Sequence, residues 1–72
     1  AGGNAAAVLN AANEVAVARF LEGMVPFSAI AASIAHTLDT LGGGAADTLE
    51  DLLEADRQAR SVAEIYLDRA LV

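Results

Sequence analysis

The stretch "VLNAANEVAVARFLEG", Val8 to Gly23, decides how this chain folds. Alanine, valine, leucine and phenylalanine dominate it, and neither proline nor glycine interrupts it before Gly23, so it reads as helix. Three polar residues sit inside the run: Asn10, Asn13 and Glu14. Asparagine is weak in a helix interior because its amide competes for backbone hydrogen bonds. Glutamate is costly to bury unless paired. On a helical wheel at ~100° per residue, the trio shares an arc with Val17, Phe20 and Leu21. Ala11, Ala12, Ala18, Arg19 and Glu22 lie opposite, with Val8 and Val15 between. With the bulky arc turned inward, the trio turns inward too, and buried amides must find partners. Asn10 and Glu14, four apart, are direct neighbours on one face. The favoured reading is a structural polar network of Asn10, Asn13 and Glu14. Its competitors are plain solvent exposure and a catalytic or metal role. A metal would want more carboxylates or a histidine at i+4, and the stretch has neither.

Outward from this helix, the punctuation is clear. "AGGN" is a flexible lead-in, with Asn4 as N-cap of a helix from Ala5 to Glu22 that stops at Gly23. "MVPFS" is a connector, because Pro26 disfavours helix at Val25, and Ser28 is placed to cap the next helix. There Ile30, Ile34, Leu38 and Leu41 form a stripe that predicts one buried face. Ser33, His36, Thr37 and Thr40 fall largely away from it. Gly42 to Gly44 end this helix and open a mobile loop through Asp47. "TLED", Thr48 to Asp51, has capping-box spacing. Beyond it, Leu49, Leu52 and Leu53 make one patch, and Ala59, Val62, Ala63, Tyr66 and Ala70 make a second stripe. Asp56 as a further cap predicts a break near Ala55. Asp56–Arg60 and Arg60–Glu64 are i,i+4 pairs, each supporting a helix by about 0.2–0.5 kcal/mol. The expectation is an all-α bundle of three to four helices, broken at Gly23–Pro26, at Gly42–Asp47 and near Ala55.

Composition narrows the function. Seventy-two residues permit one small domain. There is no cysteine, so thiolate sites and disulfides are excluded. Ten acids against four bases, all arginine, give a net charge of −6, which repels phosphate backbones and anionic membrane surfaces. No apolar run approaches the ~20 residues that span a bilayer. The start at Ala-Gly-Gly, without methionine, reads as a piece of a longer chain. His36 is the only histidine and lies away from the stripe, so it reads as a surface residue. The glycine run lacks the preceding strand and the lysine of a phosphate loop. "DTL" at Asp39–Leu41 and Asp47–Leu49 carries threonine where a carrier protein needs its attachment serine.

The opening stretch also carries a likeness. "GGNAAAVLNAANEVAVARFLEGMVPFSAI" resembles the start of the C-terminal helical domain of the 1-deoxy-D-xylulose 5-phosphate reductoisomerase family. The matching features are Gly2–Gly3, the Leu-Asn-Ala-Ala-Asn-Glu element at Leu9–Glu14, Phe20–Leu21, Phe27 and Ile30. Asp56, Ala59 and Arg60 continue it more weakly, so it spans nearly the whole chain. The resemblance implies a cytoplasmic parent enzyme of isoprenoid precursor biosynthesis, usually a homodimer. An upstream domain would bind NADPH, and a central domain would bind Mn²⁺ or Mg²⁺ and substrate. Such a parent converts 1-deoxy-D-xylulose 5-phosphate to 2-C-methyl-D-erythritol 4-phosphate. The family's catalytic, metal and nucleotide residues have no counterpart here. Residues 1–72 are therefore expected to be a structural C-terminal bundle, partnered by the upstream domains of the same chain. They should hold no cofactor themselves and contact neither nucleic acid nor membrane. The reading from another class is a free-standing acidic helical interaction module.

Overall fold

Three helices are present among residues 3–69, the residues described by the structure, a computed structural model. They are α1 (Ala5–Leu21), α2 (Ser28–Leu41) and α3 (Leu49–Arg69). Cross-helix contacts give the topology. Glu14 meets Arg60, and Arg19 meets Glu64, so α1 and α3 run parallel. Leu41 at the end of α2 lies beside Asn4 at the start of α1, so α2 runs antiparallel to α1. The chain is an up-down-up bundle.

Gly23 ends α1 for a definable reason. Its φ is +75°, a left-handed conformation that glycine adopts without steric cost. Met24 N–H donates to Arg19 C=O (3.0 Å) and Gly23 N–H to Phe20 C=O (2.9 Å). This pair of bonds is a Schellman stop. At the start of α3, Asp51 N–H donates to Thr48 Oγ1 (3.0 Å), the forward half of a capping box. The return bond lands one residue early, from Asp47 N–H to Asp51 Oδ2 (3.1 Å).

Three sequence expectations need correction. There is no break near Ala55. Asp56 sits inside an unbroken α3 and bonds to Arg60, while Ala55 packs against α1. Without glycine or proline between Leu49 and Arg69, nothing forces the helix to stop. Asn4 makes no side-chain cap on α1. Its Nδ2 instead donates to Leu41 C=O (2.8 Å), closing the end of α2. Ser28 is the first residue of α2, not its cap. The stretches read as a flexible lead-in and a mobile loop also meet one another at Gly3–Asn4 and Gly44–Ala45. Gly3 forms an antiparallel bridge with Ala45, and Asn4 N–H donates to Gly44 C=O (2.9 Å).

The core is built from small residues. Ala11, Ala12, Ala16, Ala59 and Ala63 are fully buried, with Val8 and Leu67. One cluster joins Val8, Ala11, Ala55 and Ala59, edged by Ala7, Leu38 and Leu41. A second joins Ala16, Val25, Ala29 and Leu67, edged by Val15, Phe20, Ile30 and Tyr66. On α2 the buried line is Ala29, Ser33 and Thr37, and the predicted stripe of Ile30, Ile34, Leu38 and Leu41 is only half-buried. Ser33 and Thr37 can turn inward because each hydroxyl donates to a carbonyl of its own helix, Ile30 (3.0 Å) and Ser33 (2.7 Å). Of the α3 stripe, Ala59 and Ala63 are buried and Val62 and Tyr66 half-buried; Ala70 lies outside the described residues.

Gly42 is the tightest point of the α2–α3 connection. A Cβ there would stand 2.5 Å from the Leu38 carbonyl oxygen, which is backbone and cannot swing aside. Gly42→Ala should therefore destabilise the fold by about 1–3 kcal/mol. The denaturant midpoint reads this directly, and an unmoved midpoint would remove the close approach.

Candidate functional site

The polar trio of α1 faces outward. Asn10, Asn13 and Glu14 are all exposed. The expectation that the bulky arc turns inward is reversed: Val8, Ala11, Ala12 and Ala16 make the buried face. The physical reason is proximity. Alanine faces let three short helices approach closely and bury their backbones, which leucine or phenylalanine would hold apart.

Two members of the trio belong to a bonded set. Asn10 Nδ2 donates to Glu14 Oε2 (3.0 Å). Arg60 Nη2, from α3, donates to Glu14 Oε1 (2.9 Å). Arg60 Nε donates to Asp56 Oδ2 (2.8 Å), so one guanidinium joins a carboxylate on its own helix to one on α1. The Arg60 hydrogen bond, then its charge, hold the Glu14 carboxyl below its ordinary range, with Asn10 helping. Hydrogen bonds to Asp56 and Glu14 raise the Arg60 guanidinium above its already high value. Asn13 makes no side-chain hydrogen bond among the described residues.

A second arginine repeats the device further along. Arg19 Nη2 donates to Glu64 Oε1 (2.9 Å). Its Nη1 lies 2.9 Å from Asp68 Oδ1, an ion-pair distance without hydrogen-bond geometry. Glu64 thus pairs with Arg19, not with Arg60 as its i,i+4 spacing suggests, because the parallel neighbour brings a closer cation. Asp56–Arg60 forms as expected. The half-exposed Arg60 pairs contribute little stability, whereas Arg19 is largely buried, at 15% exposed; both arginines join α1 to α3.

Glu14 is held ionised by an arginine, the reverse of what a general acid needs. The surface has no pocket, and no group of three or more His, Asp or Glu side chains is placed to hold a metal ion, both among the described residues. His36 is exposed, and its ring stacks on Tyr66 at 4.7 Å between centroids. The sequence showed the Asn10–Glu14 proximity. It gave no signal for Arg60, which is 46 residues from Glu14.

The exposed surface holds most of the large apolar side chains. Leu9 (46% exposed), Leu21 (76%) and Phe27 (72%) lie on the outer side of α1 and just beyond its end. Leu49, Leu52 and Leu53 stand exposed on the first turns of α3, and Ile65 near its end. No helix among the described residues is long and apolar enough to cross a membrane.

Residues 1–62 match the family model described as the DXP reductoisomerase C-terminal domain. A 1-deoxy-D-xylulose 5-phosphate reductoisomerase of Xanthomonas oryzae pv. oryzae is 62% identical over 64 residues, 89% of this chain and 16% of its own length. That of Xanthomonas euvesicatoria pv. vesicatoria is 59% identical over the same shares. That of Acidithiobacillus ferrooxidans is 55% identical over 69 residues, 96% of this chain and 18% of its own. The chain therefore spans about a sixth of the length of these relatives. No solved structure matches it.

Proposed function

This chain belongs to the DXP reductoisomerase C-terminal domain family, and from that premise we propose that it is the structural C-terminal domain of a 1-deoxy-D-xylulose 5-phosphate reductoisomerase. In that reading the parent rearranges and reduces 1-deoxy-D-xylulose 5-phosphate to 2-C-methyl-D-erythritol 4-phosphate for isoprenoid synthesis. It works in the cytoplasm, as a homodimer. The parent's other domains would hold NADPH, which would supply a hydride, and Mn²⁺ or Mg²⁺, which would supply Lewis-acid chemistry.

The residues present here do not suit either group. There is no lysine for a phosphate, no glycine loop after a strand, and no converging carboxylates among the described residues. No chemical step is assigned to this segment. Its work is mechanical: α1 and α3, clamped by Arg60 and Arg19, hold a fixed surface against the rest of the enzyme. The observation that carries the reading is the match over residues 1–62.

A growth test checks it. The Xanthomonas oryzae relative is truncated to remove its matched segment, and this chain is grafted in its place. In a bacterium depleted of its own reductoisomerase, the graft should restore growth and the truncated enzyme should not. Growth on the truncated enzyme alone, or a soluble graft that never restores it, would overturn the proposal.

A further inference from the structure

We infer that the outer face of α1, centred on Leu9, Asn13, Val17 and Leu21 and continued by Phe27, is the surface on which the catalytic part of the same reductoisomerase chain docks. This deepens the reading above and rests on it.

The first support is an inverted distribution of size. Inside the bundle the buried side chains are mainly alanine, serine and threonine. Outside it stand Leu9, Leu21 and Phe27. Soluble domains rarely leave a contiguous row of large apolar side chains to water unless something covers it. Here Leu9 and Leu21 flank an arc of α1 that also carries exposed Asn13 and half-buried Val17, each four residues from the next. Val17 is half-buried, and the Phe20 ring meets Phe27 edge-on at 5.5 Å, so the row ends in an aromatic corner.

The second support is charge. The polar groups along this face are two neutral amides, Asn10 and Asn13, and a single carboxylate, Glu14, paired with the Arg60 that it shares with Asp56. Depletion of free charge is what the centre of a protein interface requires. Asn13 offers an unused donor and acceptor at its middle. A net charge of −6 opposes a second copy of the chain as the occupant.

The third support is length. The matched relatives carry this segment as 16–18% of their chains, so about five-sixths of a reductoisomerase lies beyond it. The occupant we name is that remainder.

The test uses the grafted enzyme. Leu9→Glu with Leu21→Glu should lower NADPH-dependent turnover roughly tenfold or more, as loss of central interface contacts does, and should open the junction before the segment to trypsin. Leu9→Ala with Leu21→Ala should shift both readouts the same way, less far. Leu49→Glu with Leu53→Glu, an equally exposed pair at the other patch, should leave both unchanged. If the α1 pair behaves like the unsubstituted graft, or both pairs cost the same, the assignment of this face fails. If the isolated chain sediments as a dimer that Leu9→Glu and Leu21→Glu dissociate, the occupant is a second copy and the proposal fails. An inactive unsubstituted graft refutes the functional reading instead.

Discussion

Leu67→Ala is expected to remove about 2–5 kcal/mol of stability, the range for emptying a fully buried leucine site. Leu67 is the largest side chain that is fully buried, and it fills the space between Ala16, Val25 and Ala29. Those neighbours are too small or too tightly held to collapse into the space. At ~0.05–0.15 kcal/mol per residue, a chain of 72 residues holds about 4–11 kcal/mol in all, so the loss is a large share of it. Denaturant unfolding should show the midpoint fall sharply or the cooperative transition vanish. A loss below ~1 kcal/mol, the scale of ordinary substitutions, would mean that Leu67 is not the keystone of the second cluster.

Ala59→Leu is the complementary case. Ala59 is fully buried against Val8, Ala11 and Ala55, where α1 and α3 run side by side. Three added carbons have nowhere to go except between the two helices. Overpacking of a tight core costs about 1–3 kcal/mol, and here it should also pull Arg60 away from Glu14. Leu21→Ala removes as many atoms from the outer face and should change stability by less than about 0.5 kcal/mol. The pair is diagnostic because the opposite orientation of α1 predicts the opposite order. With the bulky arc inward, Leu21→Ala would be the damaging change. Thermal unfolding of the two variants decides between them.

That contrast marks what was legible in the sequence. The end of α1 and the start of α3 were readable because local chemistry sets them, whereas neither Asn4 nor Ser28 makes the cap its residue type suggests. Gly23 supplies the left-handed stop, and Thr48 supplies the cap. The inward face of α1 was not readable. Its two arcs differ more in side-chain size than in polarity, and alanine gives a wheel no contrast to work with. Size favoured the wrong arc, since the bundle needed close approach more than it needed volume. The same preference sent Ser33 and Thr37 inward and left Ile30 and Ile34 at the edge. Asp56 gave a false break because an acid inside a helix looks like a cap until its arginine partner is seen. The joining of Gly3 and Asn4 to the Gly44–Ala45 turn is tertiary, and nothing local announces it. Within the trio, Asn10–Glu14 follows from i,i+4 spacing, whereas the Arg60 clamp depends on helices meeting in parallel. The Leu-Asn-Ala-Ala-Asn-Glu element identified the family even while its orientation was misread.

The most direct test is turnover in vitro, measured as NADPH oxidation with 1-deoxy-D-xylulose 5-phosphate and Mn²⁺. Three purified proteins are compared: the Xanthomonas oryzae relative, the same enzyme without its matched segment, and the graft carrying this chain. A structural domain that positions a distant site predicts a loss of about 100-fold on truncation and recovery of most of it in the graft. A truncated enzyme as active as the intact one, or a folded graft as inactive as the truncated one, would contradict the account.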